Sequence, residues 1–208
     1  MSSVPKHTLN IPIVILAAGA SKRMGTIKQL LSWGEHTLLG HAIQTALKTN
    51  TKDIYVVLGA NYRTIKKEID KFPVTIIKND AWELGLGKSI ACAVDHILQA
   101  ESHVEGILIC LADQPFVDTD FLNTLIQNFV PNKNKIVATS YKNGFSGVPV
   151  IFDKAYASEL SKLIDDNGAK SLLRKYTALV DTFKLKLDNI DIDNKEDYDH
   201  LYKVNFKN

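Results

Sequence analysis

Two periods alternate along this chain. Short, β-branched, mainly apolar runs at residues 11–16, 54–58, 74–77 and 106–111 predict strands, and 136–139, 149–152 and the alternating 182–187 read the same way. Between them, apolar residues return every three or four positions. Leu38, Leu39, Ala42, Ile43, Ala46 and Leu47 mark a helix over 38–48; Ile65 and Ile69 mark one over 62–72 that Pro73 stops. Ile90, Ala91, Val94, Ile97 and Leu98 form one face of a helix over 88–99. A helix over 120–129 has Asp118 or Thr119 as its cap. Residues 160–176 read as helical pieces broken at 165–168, and a last helix begins near Lys195.

Strands apolar on both faces and separated by helices predict a mostly parallel sheet covered on both sides, an α/β fold of three layers. No internal repeat or linker divides the chain, so residues 11–208 read as a single domain behind a short disordered lead, 1–10. Such sheets bind ligands at the carboxyl ends of their strands, where strand order reverses. Four segments occupy those ends, 16–28, 59–61, 79–89 and 112–115, and all carry Gly, Asp, Asn or Lys.

With 208 residues the chain is long enough to bury a core without disulfides or structural metal. A formal net charge of +2 supplies no bulk field for nucleic acid or a membrane surface, so any attraction for a polyanion must be local. Cys92 and Cys110 lie inside apolar runs, which favours packing over a disulfide, and no histidine stands at zinc-ligand spacing from them. No apolar run approaches the roughly 20 residues a membrane-spanning helix needs, and Pro12 with the polar stretch before it interrupts any signal-peptide pattern. The expected setting is cytoplasmic.

The first strand runs into Leu16-Ala17-Ala18-Gly19-Ala20-Ser21-Lys22-Arg23-Met24-Gly25. Small residues there let backbone N–H groups approach an anion, and Arg23 and Lys28 add a fork and a point charge suited to a triphosphate. The plainer alternative is a tight turn with solvated basic residues. Asp113, closing the strand over 106–111, is placed to hold Mg²⁺ against ligand phosphates, or simply to form a turn before Pro115. Gly87-Lys88-Ser89 invites a P-loop, but Trp82 stands where that pattern needs a glycine, and the segment does not follow the first strand. What remains is a Gly-rich loop entering a helix, able to meet ribose or phosphate, with Ser89 as an ordinary helix start the alternative. Asp191 and Asp193 alternate about Ile192 and so point to one side, where they can hold a metal; equally, Asp193 or Asn194 caps the last helix. The six histidines form no ligand pair, and no nucleophile elbow occurs.

Taken together, Leu16 to Gly25 with Lys28-Gln29-Leu30-Leu31, Leu111-Ala112-Asp113-Gln114-Pro115, Gly147-Val148-Pro149-Val150, Asp166-Asn167-Gly168-Ala169-Lys170 and Asp191-Ile192-Asp193 with Glu196-Asp197 resemble the MobA-like nucleotidyltransferase family. Within it they are most similar to the molybdenum cofactor cytidylyltransferases, and the resemblance spans residues 13–201. It implies a three-layer Rossmann-like nucleotidyltransferase fold with a mostly parallel mixed sheet, and Mg²⁺-dependent transfer of CMP from CTP to molybdopterin with release of pyrophosphate. Carried over position by position, Leu16, Ala17, Ala18 and Gly19 contact base and phosphates, and Arg23 and Lys28 hold the β- and γ-phosphates and serve catalysis. Asp113 binds Mg²⁺ and is catalytic, Asp193 or Asp191 is the second carboxylate, and Gly85 and Ser89 approach the nucleoside.

The implied partners are a nucleoside triphosphate, CTP favoured, a phosphorylated acceptor such as molybdopterin, and a client molybdoenzyme, with no nucleic acid and no membrane. Ala18, where guanylyltransferase relatives carry Gly, favours a pyrimidine. The chain departs from the family pattern at Val148, at Asp165 and Lys170 (usually Gly and Arg), and at Asn194-Lys195 (usually Thr-Pro). The first of these departures fall in the acceptor half. Two alternatives stay open: a nucleotidyltransferase of the same fold acting on a sugar phosphate or methylerythritol phosphate, and a non-catalytic nucleotide-binding chaperone, which would not need Arg23, Lys28 and Asp113 together.

Overall fold

Every side chain of the first strand, β1 (Ile13–Ala17), is apolar and buried, so it can only lie inside a sheet covered on both faces. The computed structural model, which describes residues 9–51, 53–142, 144–185 and 191–206, puts it there. A small antiparallel hairpin follows, β2 (Ser32–Trp33) and β3 (His36–Thr37), leading into α1 (Leu38–Leu47), β4 (Ile54–Leu58), α2 (Tyr62–Ile69) and β5 (Thr75–Lys78). Next come α3 (Leu86–Ala100), β6 (Gly106–Leu111), α4 (Thr119–Asn128), β7 (Ile136–Ser140) and β8 (Ser146–Asp153). The chain ends with α5 (Ala157–Leu160), α6 (Lys170–Lys175), β9 (Val180–Lys184) and α7 (Lys195–Phe206).

The main sheet has seven strands in the order β5-β4-β1-β6-β8-β7-β9, and only β8 runs against the others. The fold is therefore the α/β, mostly parallel mixed sheet that the periodicity predicts. The two-residue period of the strands deals their side chains alternately into two cores. Ile13, Ile15, Ala17, Val56 and Leu58 meet α1, α2 and α4 on one face; Val14, Leu16, Val57 and Ile109 meet α3, α5 and α6 on the other. Each such fully buried Leu or Ile contributes about 1.5–3 kcal/mol.

The helix ends follow local chemistry. Asp118, not Thr119, caps α4, its carboxylate accepting from Phe121 N at 2.7 Å. α3 begins at Leu86, so Ser89 sits within its first turn rather than starting it. The strand expected over 149–152 begins earlier, at Ser146, and continues through Pro149. A register shift between Ala138 and Thr139 absorbs the proline, which has no N–H for the ladder, and Thr139 Oγ1 donates to the Pro149 carbonyl at 2.8 Å. The strand expected over 182–187 is β9, shifted to Val180–Lys184; residues 186–190 lie outside the described residues, as do 1–8 of the expected lead. Cys110 is buried in the core, whereas Cys92 is only half-buried. Among the described residues no helix is long and apolar enough to cross a membrane.

A third, smaller core lies beside the sheet. Met24, Trp33, Leu38, Ile192 and Leu201 are buried together, and Trp33 meets Phe116, Tyr202 and Phe206 edge-on. This cluster clamps α7 and the segment before it onto the hairpin and the loop after β1.

Candidate active site

The chain leaves β1 leftward to β4 and returns to the right through β6, so strand order reverses between β1 and β6. Leu16 pairs with Leu111, which brings the two carboxyl ends level and sets the loop after β1 beside Asp113. A cleft of about 1520 Å³ opens at this point. Leu16, Ala17, Ala18, Gly19, Arg23, Lys28, Gly85, Ser89, Asp113 and Asp193, the positions singled out in the sequence, all line it.

The loop after β1 keeps its shape through one residue to which sequence reasoning assigned no role. Gln29 is 5% exposed, and its Nε2 donates to the Ala17 and Gly19 carbonyls at 2.9 and 2.8 Å. Ser21, left-handed at φ 54°, donates through Oγ to Gln29 Oε1 at 3.2 Å and accepts from Lys28 N at 3.2 Å. Its place in the Lys28-Gln29-Leu30-Leu31 stretch that carries the family resemblance was the available signal. Gln29→Leu leaves two carbonyls without partners, so we expect a loss of about 1–3 kcal/mol in stability and a weaker nucleotide affinity. Chemical denaturation with nucleotide titration checks both, and an unchanged affinity would separate Gln29 from the site.

Lys28 Nζ lies 2.6 Å from Asp113 Oδ2 and 3.8 Å from Asp193 Oδ1, and Arg23 Nη2 lies 3.1 Å from the same Asp193 oxygen. Two cations and two carboxylates from three distant stretches of the chain thus meet in one cluster. The last helix is capped by Asn194, whose Oδ1 accepts from Asp197 N at 2.8 Å, so Asp193 is released from capping and faces the cleft. Ile192, fully buried in the third core, sends its N–H to the Asp113 carbonyl at 3.0 Å and holds the two aspartates in register.

Asp191 follows a different course from Asp193. Gln114 Nε2 donates to Asp191 Oδ1 at 2.8 Å and to Tyr141 Oη at 3.0 Å. Desolvation in the cleft lifts the Asp191 carboxyl above the usual carboxylate range; the Gln114 bond opposes this, while Asp113 and Asp193 add to it. Asp113 Oδ1 and Gln114 Oε1 are buried and have no hydrogen-bond partner among the described residues.

The remaining edge segments divide. Residues 59–61 do not line the cleft, which corrects that part of the expected edge. Trp82 covers Gly59 so closely that a Cβ there would stand 2.4 Å from the Trp82 Cβ, and Ala60 N donates to the Ala18 carbonyl at 3.0 Å, supporting the loop from beneath. Ser89 is 2% exposed and accepts from Asn79 Nδ2 at 3.0 Å, so its hydroxyl also ties down the cleft floor. Gly85 has φ 99°, and a Cβ there would fall 2.9 Å from backbone atoms of Asp165 and Asp166, so a glycine is required for that wall to close.

Behind Asp113, His41 Nε2 reaches the Pro115 carbonyl at 3.0 Å. Burial holds its imidazole below the ordinary 6.5, despite the opposing pull of that carbonyl. The unfolded chain takes up a proton at a higher pH than the folded one, so this contribution to stability is complete above pH 6.5 and declines as pH falls below it. Thermal melts from pH 7 to 5 should therefore show a smaller loss for His41→Gln than for the native protein; parallel slopes would exclude the effect.

Among curated proteins, the chain is 31% identical to nicotine blue oxidoreductase of Paenarthrobacter nicotinovorans, across 81% of this chain and 83% of that one. Among solved structures it is similar to the manganese complex of Rv0371c from Mycobacterium tuberculosis H37Rv, at TM-score 0.75 and 25% identity over 93% of this chain and 98% of that one. The 4-diphosphocytidyl-2C-methyl-D-erythritol synthase of Anaerococcus prevotii shares the fold at TM-score 0.70 and 16% identity, over 95% and 96% of the two chains. The model of the MobA-like NTP transferase domain matches residues 13–180, from β1 through the loop after it, Asp113 and α6. The chain thus belongs to the MobA-like family of nucleotidyltransferases.

Proposed function

We propose that this member of the family transfers CMP from CTP to molybdopterin with Mg²⁺, in the cytoplasm, releasing pyrophosphate. The observation that carries the reading is the meeting of Lys28, Asp113 and Asp193 in one cleft at the reversal of strand order. The donor set fits Mg²⁺. Two carboxylates share one ammonium, and Asp113 keeps a buried oxygen without a partner among the described residues. Mg²⁺ is satisfied by one or two carboxylates completed by water and phosphate oxygens. Asp113 and Asp193 would hold it, and when bound it supplies positive charge to the triphosphate.

The protein groups do the rest. Gln29 holds the Ala17–Gly19 backbone as a cradle for the phosphates. An oxygen of the acceptor phosphate forms a bond to the α-phosphorus in line, while the bond from that phosphorus to the β-bridging oxygen breaks. Lys28 and Arg23 neutralise the charge that grows on the departing pyrophosphate. The acceptor phosphate is ionised at neutral pH, so no general base is required.

CTP is favoured by Ala18 in the cradle and by the cytidylyl chemistry named for the A. prevotii structural neighbour. The test is pyrophosphate release with CTP, GTP, UTP and ATP, with and without molybdopterin cofactor. Release that needs the cofactor and prefers CTP is expected. Nucleotide binding without cofactor-dependent release would remove molybdopterin as the acceptor.

The name of the P. nicotinovorans relative brings a second reading, oxidation or reduction of a substrate in the same cleft. Under that reading Asp113 holds no metal against a triphosphate. The reading predicts substrate reduction by NADH or NADPH that survives Asp113→Ala, whereas transfer does not survive it.

A further inference from the structure

Gln114 follows Asp113 just beyond the end of β6, is 4% exposed, and lines the cleft. Its amide is held from one end: Nε2 donates to Asp191 Oδ1 at 2.8 Å and to Tyr141 Oη at 3.0 Å. Neither partner takes the amide the other way round. The Tyr141 hydroxyl donates its proton to the Val148 carbonyl, and a carboxylate only accepts. Both N–H groups are thereby committed, and Oε1 is fixed as an acceptor on the opposite side of the amide.

That oxygen is buried and meets no donor among the described residues, and the same holds for Oδ1 of Asp113, the residue before it. Folded proteins seldom leave acceptors this way, because their lost hydration is not replaced. Lys28 Nζ faces the other Asp113 oxygen, Oδ2, at 2.6 Å. The two unsatisfied oxygens call for different things. A carboxylate oxygen takes a cation directly, whereas an amide oxygen takes a hydrogen-bond donor. A hydrated divalent cation brings both at once, since Mg²⁺ keeps several of its waters and its charge makes them strong donors.

We infer that Gln114 is a positioning residue for the divalent ion: its Oε1 accepts a hydrogen bond from a hydration water of a Mg²⁺ held by Asp113. This rests on the transferase reading above. Asp191 and Tyr141 then act through Gln114, aiming its oxygen and ligating nothing themselves. The role of Asp191 in the cleft is to anchor that amide, which leaves Asp193 to serve the ion beside Asp113. Outer partners of this kind orient what surrounds a metal, and their loss lowers affinity roughly 10–100-fold.

The test is a Mg²⁺ titration of the full protein without nucleotide, followed through the side-chain ¹³C resonances of Gln114 Cδ and Asp113 Cγ. Gln114→Met and Asp113→Ala assign the two signals. We expect both to shift with one midpoint, Gln114 Cδ moving downfield as a carbonyl carbon does when its oxygen accepts a hydrogen bond. In Asp113→Ala the Gln114 shift should vanish. Gln114→Met should weaken Mg²⁺ binding about tenfold. Gln114→Glu keeps an oxygen but has no N–H for Asp191 or Tyr141, and it should bind Mg²⁺ at least as tightly as the native protein. An amide that only braces Asp191 predicts equal losses in these two variants, and that result overturns the inference. So does a Gln114 Cδ that stays still while Asp113 Cγ moves; the metal on Asp113 and the transferase reading then survive. If neither signal moves, the inference falls together with the Mg²⁺ assigned to Asp113. Should Gln114→Met not fold, the shift in the native protein and its loss in Asp113→Ala decide the matter without it.

Discussion

Asp113→Ala is expected to lower nucleotidyl transfer about a thousandfold, to background, while the protein stays folded. The carboxylate joins the end of β6 to the cation cluster, and its second oxygen is the buried one without a partner. In the proposed reaction, a metal ion then lacks its carboxylate at the end of β6 and Lys28 keeps only its longer contact to Asp193. The fold does not depend on this side chain. The bond from Ile192 N reaches the Asp113 carbonyl, which alanine retains, and Lys28 keeps Asp193 as a partner. Asp113 and Lys28 are partly solvated at 21% and 17% exposure, so the broken pair costs about 1 kcal/mol and the melting temperature falls by about 2–4 °C. Pyrophosphate release and a thermal melt read the two quantities separately. Near-native turnover in Mg²⁺ would refute the role.

Lys28→Ala should reduce turnover about a hundredfold and, in the same protein, strengthen divalent-cation binding measured without nucleotide. The two effects have one origin. The ammonium lies within 4 Å of both carboxylates, where it would compete with a metal for Asp113 and Asp193, and in the proposed reaction it is also the charge offered to the leaving pyrophosphate. Removing it leaves two neighbouring carboxylates with less compensation, which favours a divalent ion, yet deprives the departing group of its counter-charge. Mn²⁺ titration by calorimetry, beside steady-state kinetics, detects the opposed signs. Lys28→Arg should restore only part of the rate, since a planar fork does not replace a compact point charge. Weaker metal binding together with lost turnover would mean that Lys28 merely supports the loop.

Much of the architecture is legible from periodicity because burial acts residue by residue. Five consecutive apolar residues at 54–58 have no stable place except inside a covered sheet, and all five are buried there. Ile65 and Ile69 lie one helical turn apart and both enter the core. The loop after β1 and Asp113 stood out for the same kind of reason: polar or small residues at the end of a buried strand must do something other than pack. Caps are local too, and the choice between Asp118 and Thr119, or between Asp193 and Asn194, needed only the position of one N–H group.

What stayed hidden depends on contacts between distant parts of the chain. The hairpin of β2 and β3 is too short to carry a period, and it exists because Trp33 has an aromatic cluster to enter, most of it contributed by α7. β8 runs through Pro149 because a neighbouring strand shifts register to admit it. Gln29 and Gln114 read as ordinary polar residues until the carbonyls and carboxylate they serve are placed around them.

The amino-acid sequence alone therefore determined the kind of layers, the sheet edge at which the cleft opens and the residues that line it. Only the tertiary structure decided that Lys28 and Asp113, 85 residues apart, make one ion pair, and that Asp193 joins them while Asp191 turns to Gln114. The physical reason is that propensity and burial are properties of short segments, whereas the pairing of charges follows from strand order and from the small core around Ile192, which exists only once the whole chain has closed.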